Sequence, residues 1–292
     1  MKLAFVGDIH GRVLHTMAIL CAWQMKHRVK LDGIVQVGDL GAYPEPSEEV
    51  RQEKYVRLDA AELDYSRMLR ATGKLADAIR YVRDRHLKPI HFIRGNHEDF
   101  DWLTSLEQQS SQGVAGADPF DIYRYVADGT ILRLGSVTIG FLGGIQTASD
   151  SPQSILPSAY TRLLGQSPGS LDVLVTHDAP YGIATNYHGH LQGSTLITEL
   201  IEAIRPRYLI AGHYHHMNGP RRYGDTTYLG LSVLVDLKED ALEKKVQPGS
   251  LAILDTDSNV LSYVTDDWLA EFRAGFDFES FVEQLRRSTP AL

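Results

Sequence analysis

The sequence predicts an α/β fold with mixed sheets of α+β character: two facing β-sheets flanked by helices, within one domain over residues 1–292. Three observations predict it. Apolar, β-favouring runs alternate with helical periodicity through the first third, as right-handed crossovers onto a mainly parallel sheet require. In the middle, Gly135-Ser136 joins two apolar runs as a two-residue turn, the mark of antiparallel pairing. No linker, internal repeat or low-complexity tract divides the chain into independent halves.

Taken in order, Lys2 to Val6 reads as the first strand. A helix follows with Leu14, Met17, Ala18 and Cys21 on one face, ending near His27. Gly33 to Val37 is the second strand. Residues 43–72 form a polar, charged excursion of helical composition, without a clear apolar face from Ser47 to Arg70. Leu75 to Arg85 is an amphipathic helix and Pro89 to Ile93 the third strand. Thr130–Leu134 and Val137–Leu142 flank the hairpin turn. Leu106–Phe120 and Gln146–Gly169 are rich in Gly, Ser, Pro and Gln, and read as long loops over a pocket. Leu171–Val175 and Tyr208–Ala211 are buried strands separated by an amphipathic helix, Ser194–Ile204. Strands near Thr226–Leu229, Ser250–Leu254 and Val260–Val264 suggest hairpins, with Asp257-Ser258-Asn259 as a turn. A helical tail spans about 266–287.

Composition narrows the function. With 292 residues, 43% of them hydrophobic and 23% charged, the chain buries a core without staples. One cysteine, Cys21, excludes an internal disulfide framework and favours a reducing compartment. The first apolar run is too short for a signal peptide, and no run approaches the ~20 residues of a membrane span, so a cytoplasmic location away from membranes is expected. A net charge of −8 offers no grip on long duplex nucleic acid. Three basic clusters interrupt that balance: Arg80, Arg83, Arg85 and Lys88; Arg205 and Arg207; Arg221 and Arg222. The first two read as solvated faces, whereas Arg221 and Arg222, just beyond His215, are candidate substrate contacts.

Five short motifs each follow a strand-like run: Asp8-Ile9-His10-Gly11, Gly38-Asp39, Gly95-Asn96-His97-Glu98, Thr176-His177-Asp178 and Gly212-His213-Tyr214-His215. Strands ending at one rim would gather these nitrogen and oxygen ligands, as a two-metal hydrolytic site requires. Asp8 and His10, two apart on an extended strand end, point the same way. The carboxylate of Asp39 has two oxygens and is able to bridge two cations. Asn96 supplies a neutral hard oxygen, which with imidazoles suits Mn²⁺, Fe²⁺ or Zn²⁺. A helix-capping Asn96 beside a surface His97 would explain that tetrapeptide alone. It leaves His177, His213 and His215 at other strand ends unexplained.

In these five motifs, from Asp8 to His215, the chain resembles the calcineurin-like metallophosphoesterase superfamily, whose D-x-H, G-D, G-N-H-[DE], H and G-H-x-H motifs it matches in order. The resemblance implies a four-layer αββα sandwich and two divalent ions, Mn²⁺, Fe²⁺/Fe³⁺ or Zn²⁺, with Mn²⁺ favoured. It assigns Asp8, His10, Asp39 and His215 to one ion, and Asp39, Asn96, His177 and His213 to the other. It implies phosphoester hydrolysis by a hydroxide shared between the ions, with Asp39 and His97 catalytic. His97 would protonate the leaving alkoxide or bind a phosphate oxygen, as Asn96 would. Support from beyond the ligands falls to Glu98, Asp99 or Asp178.

Departures shape the substrate. Phosphoprotein phosphatases continue their second motif with Asp-Arg-Gly; here Gly38-Asp39-Leu40-Gly41-Ala42-Tyr43 supplies neither charge. His177-Asp178-Ala179-Pro180-Tyr181-Gly182-Ile183 and Arg205-Pro206-Arg207-Tyr208 resemble the RNA lariat debranching enzymes, although those carry Cys where this chain has Asp8 and often a basic residue where it has Tyr181. The expected substrate is thus a phosphodiester, in a nucleotide or short nucleic acid. The alternatives are a phosphomonoesterase and a non-catalytic binding module on the same fold. His188 and His190 are candidate contacts from the loop after His177, and Tyr43, Trp102 and Tyr181 are candidates to stack on a base.

Overall fold

A computed structural model describes residues 1–183, 190–236 and 244–288 of the chain. β1 (Lys2–Val6) leads into α1 (Val13–His27), then β2 (Gly33–Gln36). The excursion follows as α2 (Glu48–Gln52), α3 (Lys54–Leu58), a 3₁₀ turn (Ala60–Leu63) and α4 (Asp64–Leu69), before α5 (Gly73–Arg85) and β3 (Ile90–Phe92). Next come α6 (Phe100–Gln109), β4 (Val114–Gly116), β5 (Tyr123–Val126), β6 (Ile131–Leu134), β7 (Val137–Leu142), α7 (Pro157–Leu164) and β8 (Val173–Thr176). The chain continues through α8 (Thr195–Ile204), β9 (Tyr208–Ala211), β10 (Asn218–Tyr223), β11 (Thr226–Gly230), β12 (Leu251–Asp255) and β13 (Val260–Tyr263). It ends with a 3₁₀ turn (Asp267–Glu271) and α9 (Phe278–Ser288).

The strands form two mixed sheets, ordered β13-β12-β1-β2-β3-β5-β4 and β10-β11-β9-β8-β7-β6. Period-two alternation decides which side chains enter which layer. In β1, Leu3 and Phe5 face the second sheet, whose Val173, Val175 and Ile210 meet them, while Ala4 and Val6 face the helices. α1, α4, α5 and α9 pack on the outer face of the first sheet, and α7 and α8 cover that of the second. The result is the four-layer αββα sandwich. Parallel β1, β2 and β3 end on the same rim as parallel β8 and β9.

Some expectations need correction. α1 is buried all round from Val13 to Gln24, with no polar face, because α4 and α9 cover the side turned away from the sheet. The stretch read as a loop over Leu106–Phe120 contains the end of α6 and all of β4. Asp99 caps α6 by accepting the Trp102 N–H, and only Leu103 and Leu106 are buried on it, too short a period to read. β4 begins after Gly113, ends at Gly116 and pairs antiparallel with β5. Within Gln146–Gly169, α7 begins at Pro157 and buries only Ala159 and Leu163. The tail is not one helix: Gly275 at φ 78° interrupts it, and Asp277 starts α9 by accepting the Ser280 N–H.

Candidate active site

The five motif loops meet at the shared rim. From the first sheet, Asp8 follows β1, Asp39 follows β2 and Asn96 follows β3; from the second, His177 follows β8 and His213 follows β9. The loops touch so closely that several glycines are obligatory, Gly95 and Gly212 among them. A Cβ on Gly95 would collide with the Asp39 carboxylate, and one on Gly212 with that of Asp8. Gln36, fully buried, ties the first two loops by donating to the carbonyls of Gly7 (3.1 Å) and Gly38 (2.5 Å). Glu98 ties the second to the third, accepting the N–H groups of Leu40 (2.8 Å), Ala42 (2.7 Å) and Gly95 (3.3 Å).

Asp8, His10, Asp39 and His215 each offer a ligand atom within 4.8 Å of all the others. The Nε2 atoms of His10 and His215 stand 3.1 Å apart, and His215 Nε2 lies 3.2 Å from Asp8 Oδ2. On the other side of Asp39, His177 Nε2 is 3.4 Å from Asp39 Oδ1 and 3.0 Å from Asn96 Oδ1, with the His213 ring centroid 5.2 Å from that of His177. His177 Nδ1 donates to the Val37 carbonyl at 3.0 Å. A carbonyl only accepts, so the neutral ring turns a bare Nε2 toward two further acceptors. His177 Nε2, Asp39 Oδ1 and Asn96 Oδ1 thus turn toward one another, an arrangement that suits a metal ion. Asp39 Oδ2 is likewise buried without a hydrogen-bond partner among the described residues. The donor set therefore fits two N/O-coordinated divalent ions sharing Asp39.

The electrostatics point the same way. Burial opposes charge on Asp8, but the hydrogen bond to His215 and the fields of His177 and His215 outweigh it, holding the carboxyl below its ordinary range. Asp39 is likewise depressed, burial being overcome by His177, His10 and His97. Burial brings His10 down to about 4 despite Asp39, so its ring is neutral and free to ligate at pH 7. Burial is the largest effect on His215 and lowers it, but the bond to Asp8 together with the charges of Asp8, Asp39 and Asp236 outweighs burial, so His215 is raised. Beside this cluster opens a cleft of about 220 Å³ lined by His10, His97 and His215 together with Tyr43, Tyr55 and Val56. His97 is exposed, 5.5 Å between centroids from His10, and its N–H donates to Asp39 Oδ1 at 2.8 Å.

A family model described as calcineurin-like phosphoesterase matches residues 1–217. The chain belongs to that family. It is a metal-dependent phosphoric ester hydrolase of a dinuclear family. The lariat debranching enzyme of Arabidopsis thaliana is 24% identical over 331 aligned positions, covering 99% of this chain and 71% of that protein. The lariat debranching enzyme of Gallus gallus is 25% identical, over 74% of this chain and 42% of its own length. The solved structure of TT1561 of Thermus thermophilus matches at a TM-score of 0.50 and 14% identity, covering 90% of this chain and 98% of that one. That likeness speaks to fold alone.

Within this calcineurin-like phosphoesterase, the structure brings together Asp8, His10, Asp39, Asn96, His97, His177, His213 and His215. Arg221 and Arg222 do not line this cleft: both are exposed on β10, donating to the Gly182 carbonyl and Thr227 Oγ1. His188 lies outside the described residues, and His190 is exposed away from the cleft lining. Tyr43 lines the cleft, whereas Trp102 packs edge-on against buried Tyr65 and Tyr181 stands exposed outside the lining. Glu98 serves backbone N–H groups, Asp99 caps α6 and Asp178 accepts from Gln146 N–H; no hydrogen bond to the His97 ring occurs among the described residues. Sequence reasoning missed Arg12, which is 1% exposed and binds Glu62 (2.5 Å) and Asp59 (3.1 Å), anchoring the excursion to the first motif loop. Its partners lie 47 and 50 residues away, so no local pattern marks it.

Proposed function

We propose that this phosphoesterase hydrolyses a phosphodiester, in a nucleotide or short nucleic acid, at a centre where Asp8, His10, Asp39 and His215 hold one divalent ion and Asp39, Asn96, His177 and His213 the other. The observation that carries the reading is the position of Asp39, its Oδ1 against His177 and its Oδ2 facing His10 at 3.8 Å. The mixed nitrogen and oxygen donors suit Mn²⁺, Fe²⁺ or Zn²⁺, and Mn²⁺ is the ion we propose. Bound there, two ions would supply Lewis acidity, acidifying water as nucleophile and neutralising charge on the phosphate. The residues do the rest. Asp39 Oδ1 accepts the N–H groups of Asn96 (2.6 Å) and His97 (2.8 Å), so the carboxylate central to the ligand set also fixes the loop that carries His97. From the lining of the cleft, His97 gives its ring proton to the departing alkoxide oxygen. The similarity to lariat debranching enzymes supports a diester.

Two measurements test this. Asp39→Asn lowers Mn²⁺-dependent hydrolysis by about 10³-fold or more, since it removes the shared charge. Wild-type protein hydrolyses bis-p-nitrophenyl phosphate with a higher kcat/KM than p-nitrophenyl phosphate; a clear preference for the monoester contradicts the diester reading.

A further inference from the structure

The cleft beside the proposed metal centre has a composition that the chemistry at that centre does not explain. Three histidines line it, but most of the remaining lining is tyrosine and aliphatic: Tyr43 from the loop after Asp39, Val50, Tyr55 and Val56 from α2 and α3, and Val233 and Val235 from the segment after β11. Its charged lining, among the described residues, is Glu53, Glu62 and Asp236, with no lysine or arginine. Glu62 is engaged by Arg12, whose guanidinium lies outside the lining. Away from the histidines, a second phosphate group or an acidic peptide would meet carboxylates and, among the described residues, no lysine or arginine. Such a wall is unfavourable for a second anion and favourable for apolar surface. Its volume, about 220 Å³, falls below the ~300–1,000 Å³ of pockets that enclose drug-sized ligands, so it suits one ring-sized group.

We infer that this cleft is the specificity pocket of the enzyme: it takes a single uncharged aromatic ring carried by the substrate beside the scissile phosphoester, and it rejects a negatively charged substituent on that ring. The inference rests on the phosphoesterase reading of the neighbouring ligand set, and deepens it by naming a group that the substrate carries beside the phosphoester. Tyr55, 51% exposed, stands at the rim, and Val56 is half-buried on the same short helix. Both belong to the excursion and neither is a candidate metal ligand. A ring entering the cleft buries apolar area against them and displaces water, while Glu53 repels an acidic substituent.

Calorimetric titration of the Mn²⁺-loaded protein with phosphonates tests this, because each probe carries one phosphorus group and one substituent. Phenylphosphonate should bind at least about tenfold more tightly than methylphosphonate. A p-carboxyphenyl phosphonate should lose most of that advantage. The double variant Tyr55→Ala/Val56→Asn should bind methylphosphonate as wild type does and prefer phenylphosphonate by less than about threefold. Glu53→Gln should narrow the gap between the phenyl and carboxyphenyl probes while leaving the phenyl preference in place. Equal affinity for phenyl and methyl probes in wild-type protein that turns over bis-p-nitrophenyl phosphate overturns the pocket and leaves the phosphoesterase reading standing. Failure of both probes to bind, together with absence of turnover, overturns both.

Discussion

His10, Asp39, His213 and His215 have positive φ, at 41°, 54°, 70° and 61°, although none is glycine. Left-handed backbone is uncommon for side-chain-bearing residues and is held only where surroundings over-determine it, which here means loops clasped against one another at the rim. Gly95 shows how little room remains. Gly95→Ala pushes a methyl into the Asp39 carboxylate, and is expected to weaken Mn²⁺ binding about 10- to 100-fold and lower urea stability by about 1–3 kcal/mol. An unaltered Mn²⁺ isotherm would contradict that. Away from the site, His91 on β3 is depressed to about 4, by burial first and then by Arg124. Its folded pKa lies below the unfolded value near 6.5, so the unfolded chain binds the proton more readily. Its contribution is therefore complete above about pH 6.5 and is lost as pH falls toward 4. Discounted for partial exposure, the loss is up to about 2 kcal/mol, and in His91→Gln the slope of urea stability between about pH 7 and 5 should flatten accordingly. The ligand types were legible in sequence because their chemistry is their identity. Gly95 as a steric necessity, Gln36 as a loop tie and Arg12 as an anchor were not, since each acts through a partner distant in sequence or through absence of a side chain.

At the scale of elements, strands buried on both faces and the amphipathic α5 and α8 were readable because their apolar runs are long and their periods clean. α6, α7 and β4 bury only one or two side chains each, so composition outweighed pattern and suggested loops. β10, with the polar sequence NGPRRY and an exposed face, gave no strand signal; it exists because β11 offers an edge to pair with. The excursion is the element whose behaviour matters most to function, because α2 and α3 bury no residue of their own and are held by tertiary contacts. Arg12 is the main polar anchor, fully buried against Asp59 and Glu62. Arg12→Met leaves two partly buried carboxylates without their cation and should cost about 3 kcal/mol, with proteolytic cutting concentrated in residues 48–63. Adding Glu62→Gln should recover part of the loss, because one stranded charge is removed. Uniform destabilisation without local cutting would mean that the ion pair does not anchor the excursion.

Across the whole molecule, the site is divided between the two sheets. Asp8, Asp39 and Asn96 come from the first, and His177, His213 and His215 from the second, so filling the ligand set clamps the sandwich across its shared core. A ligand bound only by the folded chain stabilises it by mass action, about 2.7 kcal/mol at a hundredfold excess over Kd. Mn²⁺ should therefore raise Tm and EDTA should reverse the rise, whereas Asp39→Asn should respond weakly to both. The αββα layering was legible in sequence, since alternation between parallel and hairpin signals follows from local residues. The cleft was not, because its walls come from segments more than 170 residues apart, Val56 and Val233 among them. The central claim is that two ions share Asp39. The most direct measurement is an anomalous difference map at the manganese edge from crystals grown with Mn²⁺. The expected result is two peaks flanking the Asp39 carboxylate, one among Asp8, His10 and His215 and one among Asn96, His177 and His213. A map with no peak beside Asp39, or with peaks only elsewhere on the protein, would contradict the account.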